Sequence, residues 1–176
     1  AVKPQVINGV TQTSTDVTTN TYDEFGRVSG AHIKHTDAAG VVTYDDVTYE
    51  FDEFGRVSHQ TTLHTNADGT QTTKEDTFTY DSNGQLIVGA DTTTHPEGTV
   101  TIGNTTYTYD QFGRLTRAVT TTTNPDGTQN TNTVTYVYDS YGRVATQTSI
   151  ITRAECKQNT DVTKYKYDTY GRLSHS

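Results

Sequence analysis

The residues in this chain that could do chemistry recur at fixed spacing. An aromatic-Asp pair followed by Gly and Arg stands at Tyr22, Asp23, Gly26 and Arg27, and again at Phe51, Asp52, Gly55 and Arg56. It returns at Tyr80, Asp81 and Gly84, where Gln85 replaces Arg, and at Tyr109, Asp110, Gly113 and Arg114. The last two copies are Tyr138, Asp139, Gly142 and Arg143, then Tyr167, Asp168, Gly171 and Arg172. A row of carboxylates beside guanidinium groups could bind a charged ligand. The same pair at five of the six copies points instead to structure: Asp caps backbone amides in a turn, and Arg pairs with an Asp or stacks on a Tyr. A catalytic site seldom repeats six times, so the chain reads as a non-enzyme.

The other reactive residues give no competing site. Six histidines occur, with His32 close to His35 and His59 close to His64. Separations of three and five residues send the two rings to opposite faces of a strand, so neither pair chelates a metal. No EF-hand-like run supports calcium, and nothing implies a cofactor. Cys156 is the one cysteine and gives no disulfide framework. It falls where other repeats place a turn glycine, near Arg153 and Lys157. A loop tip beside cations favours thiolate character, and the readings are a free thiol or an intermolecular cross-link. Thr-x-Thr runs such as Thr131, Thr133 and Thr135 can suggest ice or carbohydrate binding on a flat β face, but read first as solvated strand faces that need β-propensity without apolar bulk. Asn104-Thr-Thr fits the N-glycosylation pattern but decides nothing in so Thr-rich a chain.

The elements that must position these residues follow from the period. Each aromatic-Asp pair comes 29 residues after the last, which divides residues 1–176 into one repeat array: a partial repeat 1–21, units 22–50, 51–79, 80–108, 109–137 and 138–166, and a partial repeat 167–176. A second punctuation falls halfway, at Asn66-Ala-Asp-Gly69, His95-Pro-Glu-Gly98, Asn124-Pro-Asp-Gly127 and the weaker Asp37-Ala-Ala-Gly40. Both signals suit a type I turn closed by a left-handed Gly, so each unit is expected to hold two hairpin turns and two strands of about ten to twelve residues.

Period-two alternation appears near the Tyr-Asp end of the strands, as in Val47-x-Tyr49-x-Phe51 and Val134-x-Tyr136-x-Tyr138. With Val28, Val57, Leu86, Leu115, Val144 and Leu173 after the turn, and Phe25, Phe54, Phe112, Tyr141 and Tyr170 inside it, these form an apolar band along one margin. The rest of each strand is Thr, Gln, Asn and Lys. So thin a band is expected to be covered by curling of the sheet, by further repeats or by another molecule.

Composition agrees. Of 176 residues 40 are Thr, only 30% are hydrophobic, Met and Trp are absent, and Tyr (12) outnumbers Phe (5), which is β-prone chemistry rather than that of a two-layer globule. The net charge of −8, with acids spread along the chain, argues against nucleic acid or an anionic membrane as partner. No apolar run approaches the ~18 residues of a membrane span, and the start has no signal-peptide core. The chain is expected to be soluble, as a mature product or a cut fragment.

Tyr-Asp-x-x-Gly-Arg-Leu/Val, a polar strand, an Asp-Gly turn and a strand ending Tyr-x-Tyr-Asp together resemble the YD or RHS repeats of bacterial RHS proteins, toxin-complex cocoons and the teneurin shell. The resemblance covers essentially the whole chain. It implies β-hairpins joined into a long antiparallel sheet that twists or spirals, with stacked aromatic positions, in a protein of the cell surface or extracellular space. The alternative fold is a parallel β-solenoid with one 29-residue coil per rung. The uniform units suit a fibre, stalk or adhesin segment; the alternatives are a glycan- or surface-binding adhesive module and a fragment of an RHS-type toxin-encapsulating shell. The chain ends resemble the later and earlier parts of one repeat, which fits a window cut from a longer array or a subunit pairing head to tail into a filament.

Overall fold

The structure is a computed structural model that describes residues 2–7, 10–154, 157–168 and 170–175. The protein is all-β, built of sequential antiparallel strands at a regular hairpin spacing of about 29 residues. It divides into two compact units, Ala1–Thr77 with Asp91–Val100, and Phe78–Ala90 with Thr101–Ser176.

In the first unit, β1 (Val2–Ile7), β2 (Val10–Tyr22), β3 (Val28–Thr36), β4 (Val42–Phe51), β5 (Val57–Thr65) and β6 (Gln71–Tyr80, as far as Thr77) follow one another as an antiparallel meander. Each strand pairs with the next in the chain. β7 (Leu86–Thr94) contributes Asp91–Thr94 to this unit and Leu86–Ala90 to the other. In the second unit, β8 (Val100–Tyr109), β9 (Leu115–Thr123), β10 (Gln129–Tyr138), β11 (Val144–Thr152) and β12 (Gln158–Lys164) repeat the meander. The short strands β13 (Lys166–Tyr167) and β14 (Leu173–His175) form a last hairpin.

Every pairing described is antiparallel, which excludes the parallel solenoid: in a solenoid the Tyr-Asp strands of successive repeats would pair side by side. From β3 to β11 the strands run to nine or ten residues, slightly short of expectation, because the turns take residues at both ends.

The turns have the expected geometry. At Asp23 the amide donates to the Arg27 carbonyl (2.9 Å) and the Gly26 amide donates back to the Asp23 carbonyl (3.0 Å), with Gly26 at φ 78°. That is a type I turn followed by a left-handed residue, which only glycine adopts without strain. The opposite margin uses the same frame, as in Asn124 to Thr128 with Gly127 at φ 79°. A register shift accompanies the Tyr-Asp turns, as between Thr21 and Tyr22 and between Glu50 and Phe51, where the bulge absorbs the extra residue.

Among the described residues the apolar band is half-buried rather than enclosed. Among the described residues Val47, 9% exposed, is the one buried apolar side chain, and the aromatics within the turns stand out in solvent, from Phe112 at 71% to Tyr170 at 83%. A sheet face with nothing stacked upon it leaves each side chain only its strand neighbours for cover, which half-buries it. The band is recognisable around a shallow hollow of about 510 Å³ on β2 to β5, where Val28, Ile33, Tyr49, Phe51 and Val57 share a face.

Candidate functional site

The recurring Tyr-Asp turn is a closed set of bonds. In Asp139, Oδ1 accepts the amides of Tyr141 (2.9 Å) and Arg143 (2.9 Å), while Oδ2 accepts from Arg143 Nε (2.8 Å). Asp23, Asp52, Asp110 and Asp168 repeat the arrangement with Arg27, Arg56, Arg114 and Arg172. Asp81 keeps the two backbone bonds, to Asn83 (2.9 Å) and Gln85 (2.8 Å). Loss of hydration pushes the Asp23, Asp52, Asp110 and Asp139 carboxyls up, but donation from the Arg amide, the Arg side chain and the aromatic's amide outweighs it and holds them below the usual aspartate range. At Asp168 the Arg172 amide leads the same lowering.

Arg also reaches forward. The Arg114 guanidinium lies 5.0 Å from the centre of its own turn aromatic, Phe112, and 4.5 Å from that of Tyr138 in the next repeat. Arg143 stands likewise over Tyr141 (5.0 Å) and Tyr167 (4.3 Å), and Arg27 over Phe25 (5.1 Å) and Phe51 (4.0 Å). Its end comes so close to the following turn that a β-carbon on Gly142 would sit 3.2 Å from Arg114 Nη1. Gly55 and Gly171 are crowded in the same way by Arg27 and Arg143, whereas nothing lies within 4 Å of such a carbon on Gly69, Gly98 or Gly127 at the other margin. Glycine therefore serves the Arg margin twice, in backbone conformation and in room for the preceding guanidinium.

The aromatic that opens each motif reaches back. Tyr138 donates its hydroxyl to the Leu115 carbonyl (2.6 Å), Tyr109 to that of Leu86 (2.8 Å) and Tyr167 to that of Val144 (3.0 Å). Burial pushes the Tyr109 and Tyr138 hydroxyls up in pKa, as suits donors that keep their protons. Phe51 carries no hydroxyl to make this bond. Sequence reasoning foresaw the Asp cap and the Arg partner; it missed that Arg and Tyr tie each repeat to a neighbour, because the strand neighbours must be known first.

The third copy is an internal variant in which two changes occur together. Asn83 replaces the turn aromatic and Gln85 replaces Arg, and Gln85 Nε2 retains one forward contact by donating to the Gly113 carbonyl (3.0 Å). Aromatic and cation thus vanish as a pair. Restoring them with Asn83→Phe and Gln85→Arg is expected to stabilise the second unit by about 0.5–1 kcal/mol, the scale of a partly exposed cation–π contact, measured by chemical denaturation.

The remaining sequence candidates are placed as follows. Cys156 lies outside the described residues, although the flanking turn closes through the Arg153 amide and the Lys157 carbonyl (3.0 Å). Among the described residues no group of three or more His, Cys, Asp or Glu is arranged to hold a metal. The histidines do more than the sequence suggested, because the expectation considered each strand alone. His35 on β3 and His64 on β5 share a sheet face and both contact Asp45 of β4, while His32 pairs with Asp46 (2.6 Å) on the opposite face. The signal was present: His35 and His64 are separated by one repeat, as are Asp16 and Asp45.

No family model matches the chain, and no curated protein was found to match its sequence.

Proposed function

We propose that this chain is an extracellular structural repeat protein, forming a fibre, stalk or adhesin segment on a bacterial surface, either associating with itself head to tail or continuing a longer array. One observation carries the reading: the recurring groups of the Tyr-Asp motif are consumed in bonding a turn and its neighbouring repeat, as Arg114 and Tyr138 are, and so serve cohesion. Repeat architectures gain stability from such nearest-neighbour bonding and extend by adding units. The surface setting rests on the resemblance to RHS and YD repeats. On this reading the protein is not an enzyme, takes no cofactor, binds no nucleic acid and does not insert into a membrane. Electron microscopy of the purified protein is expected to show regular filaments; isolated particles at all concentrations would remove self-assembly and leave a segment of a longer array.

A second reading, an adhesive module for glycan or another surface, draws support from the exposed turn aromatics. Phe112, Tyr141 and Tyr170 project at one margin, and hollows of about 440 and 340 Å³ lie between successive turns, each walled by two rings and an Arg. Rings and guanidinium groups so placed suit the apolar face and hydroxyls of a sugar. Binding on a glycan array that is lost with Tyr141→Ala would favour this reading, and silence on the array would count against it.

A further inference from the structure

We propose that Asp16, His35, Asp45 and His64 form a proton-tightened clamp across β2 to β5, firm in mildly acidic surroundings and slack once the His35 imidazole loses its proton. The four side chains lie on one face of four consecutive strands. Asp16 is directly opposite His35, Asp45 is directly opposite His64, and His35 and Asp45 are diagonal neighbours. His35 Nδ1 is 2.8 Å from Asp16 Oδ1 and its Nε2 is 2.9 Å from Asp45 Oδ2, while His64 Nδ1 is 2.5 Å from Asp45 Oδ1.

Donor counting makes the arrangement depend on a proton. A carboxylate only accepts, and a neutral imidazole has one N–H. With both ring nitrogens against carboxylates, His35 completes both bonds only as imidazolium. When it loses that proton, a nitrogen lone pair faces a carboxylate oxygen, and the Asp16 or the Asp45 contact must open. On β1 the register puts Lys3 opposite Ser14, on the Asp16 face and one strand further from His35. From β6 the same face presents Lys74 and Asp76, which pair with each other (2.5 Å), and the residues opposite His35 and His64 on their other sides, Thr43 and Thr72, are neutral. Lys34, His32 and Asp46 lie on the opposite face.

The titration runs in the direction the geometry requires. Hydrogen bonds to Asp16, then to Asp45, raise the His35 pKa, so its stabilisation is complete below the ordinary imidazole value and is lost as pH rises through the higher folded one. Burial pushes Asp45 up, but bonds from His64 and His35 outweigh it and lower its pKa; its share is complete above the ordinary aspartate value and is lost as pH falls through the lower folded one. The clamp is therefore tightest between roughly pH 4 and 6.5.

The second unit is a built-in control, because β8 to β12 share the architecture and carry no histidine. Amide hydrogen exchange on the full chain, corrected for intrinsic pH dependence, is expected to lose about threefold to fivefold of its protection in β3 and β4 between pH 5.5 and 8, as suits partly exposed ion pairs, while β9 to β11 stay unchanged. Nitrogen-15 NMR should place the His35 titration above the ordinary histidine value, and Asp45→Asn should lower it. His35→Gln, which keeps a donor and removes the charge, should cut the pH response of β3 and β4 by at least half, the remaining His–Asp contacts being His64–Asp45 and His32–Asp46. Equal responses in the two units, a His35 midpoint at or below the ordinary value, or a response undiminished in His35→Gln would overturn the clamp.

Discussion

Asp139→Ala is expected to weaken the second unit by opening one of its Tyr-Asp turns. The carboxylate holds two backbone amides and one guanidinium nitrogen, and alanine leaves all three without their acceptor. The Tyr141 and Arg143 amides should exchange with solvent about tenfold faster, and the melting temperature should fall. Asn at this position should do less harm, since its carbonyl can still serve the amides, but its NH2 cannot accept from Arg143. Because Asp139 is lowered in pKa, its stabilisation is present above the ordinary aspartate value and is lost as pH falls through the lower folded one. Asp23, Asp52, Asp110 and Asp168 are shifted in the same direction, so acid should loosen these turns together, and Asp139→Ala should remove one share of that acid sensitivity.

Arg114→Ala should cost about 1–2 kcal/mol, through the lost Asp110 ion pair and two cation–π contacts, one inside its turn and one to the next repeat. The damage should spread forward: amides around Asp139 to Arg143 should lose protection although no residue there has changed. Arg172→Ala is the control, since Arg172 pairs with Asp168 and lies 5.2 Å from Tyr170 in its own turn. Its loss should remain local and smaller, because its side chain is 76% exposed.

Much of the fold was legible because turn chemistry is local. Asp or Asn first and Gly fourth specify the same reversal whether the sequence between them is Ala-Ala, as at Asp37, or Pro-Asp, as at Asn124, and the 29-residue period places every reversal. The antiparallel pairing that separates hairpins from a solenoid was not fixed by period alone, since either scheme stacks equivalent residues. Cover for the apolar band was not fixed by period either. Alternation at Tyr136 and Tyr138 says which face a side chain takes, but not whether anything covers that face. The His35–Asp45–His64 contacts escaped because a metal search along one strand cannot see residues that meet across three. Once the strands are neighbours, residues one repeat apart, such as His35 and His64, must share a face.

The central claim is that the turn arginine of one repeat holds the strand aromatic of the next. A double-mutant cycle between Arg114→Ala and Tyr138→Leu, read by denaturant unfolding of the full chain, tests it most directly. The 4.5 Å approach of guanidinium to ring predicts a coupling of about 0.5–1 kcal/mol. Losses that simply add, to within about 0.3 kcal/mol, would contradict it.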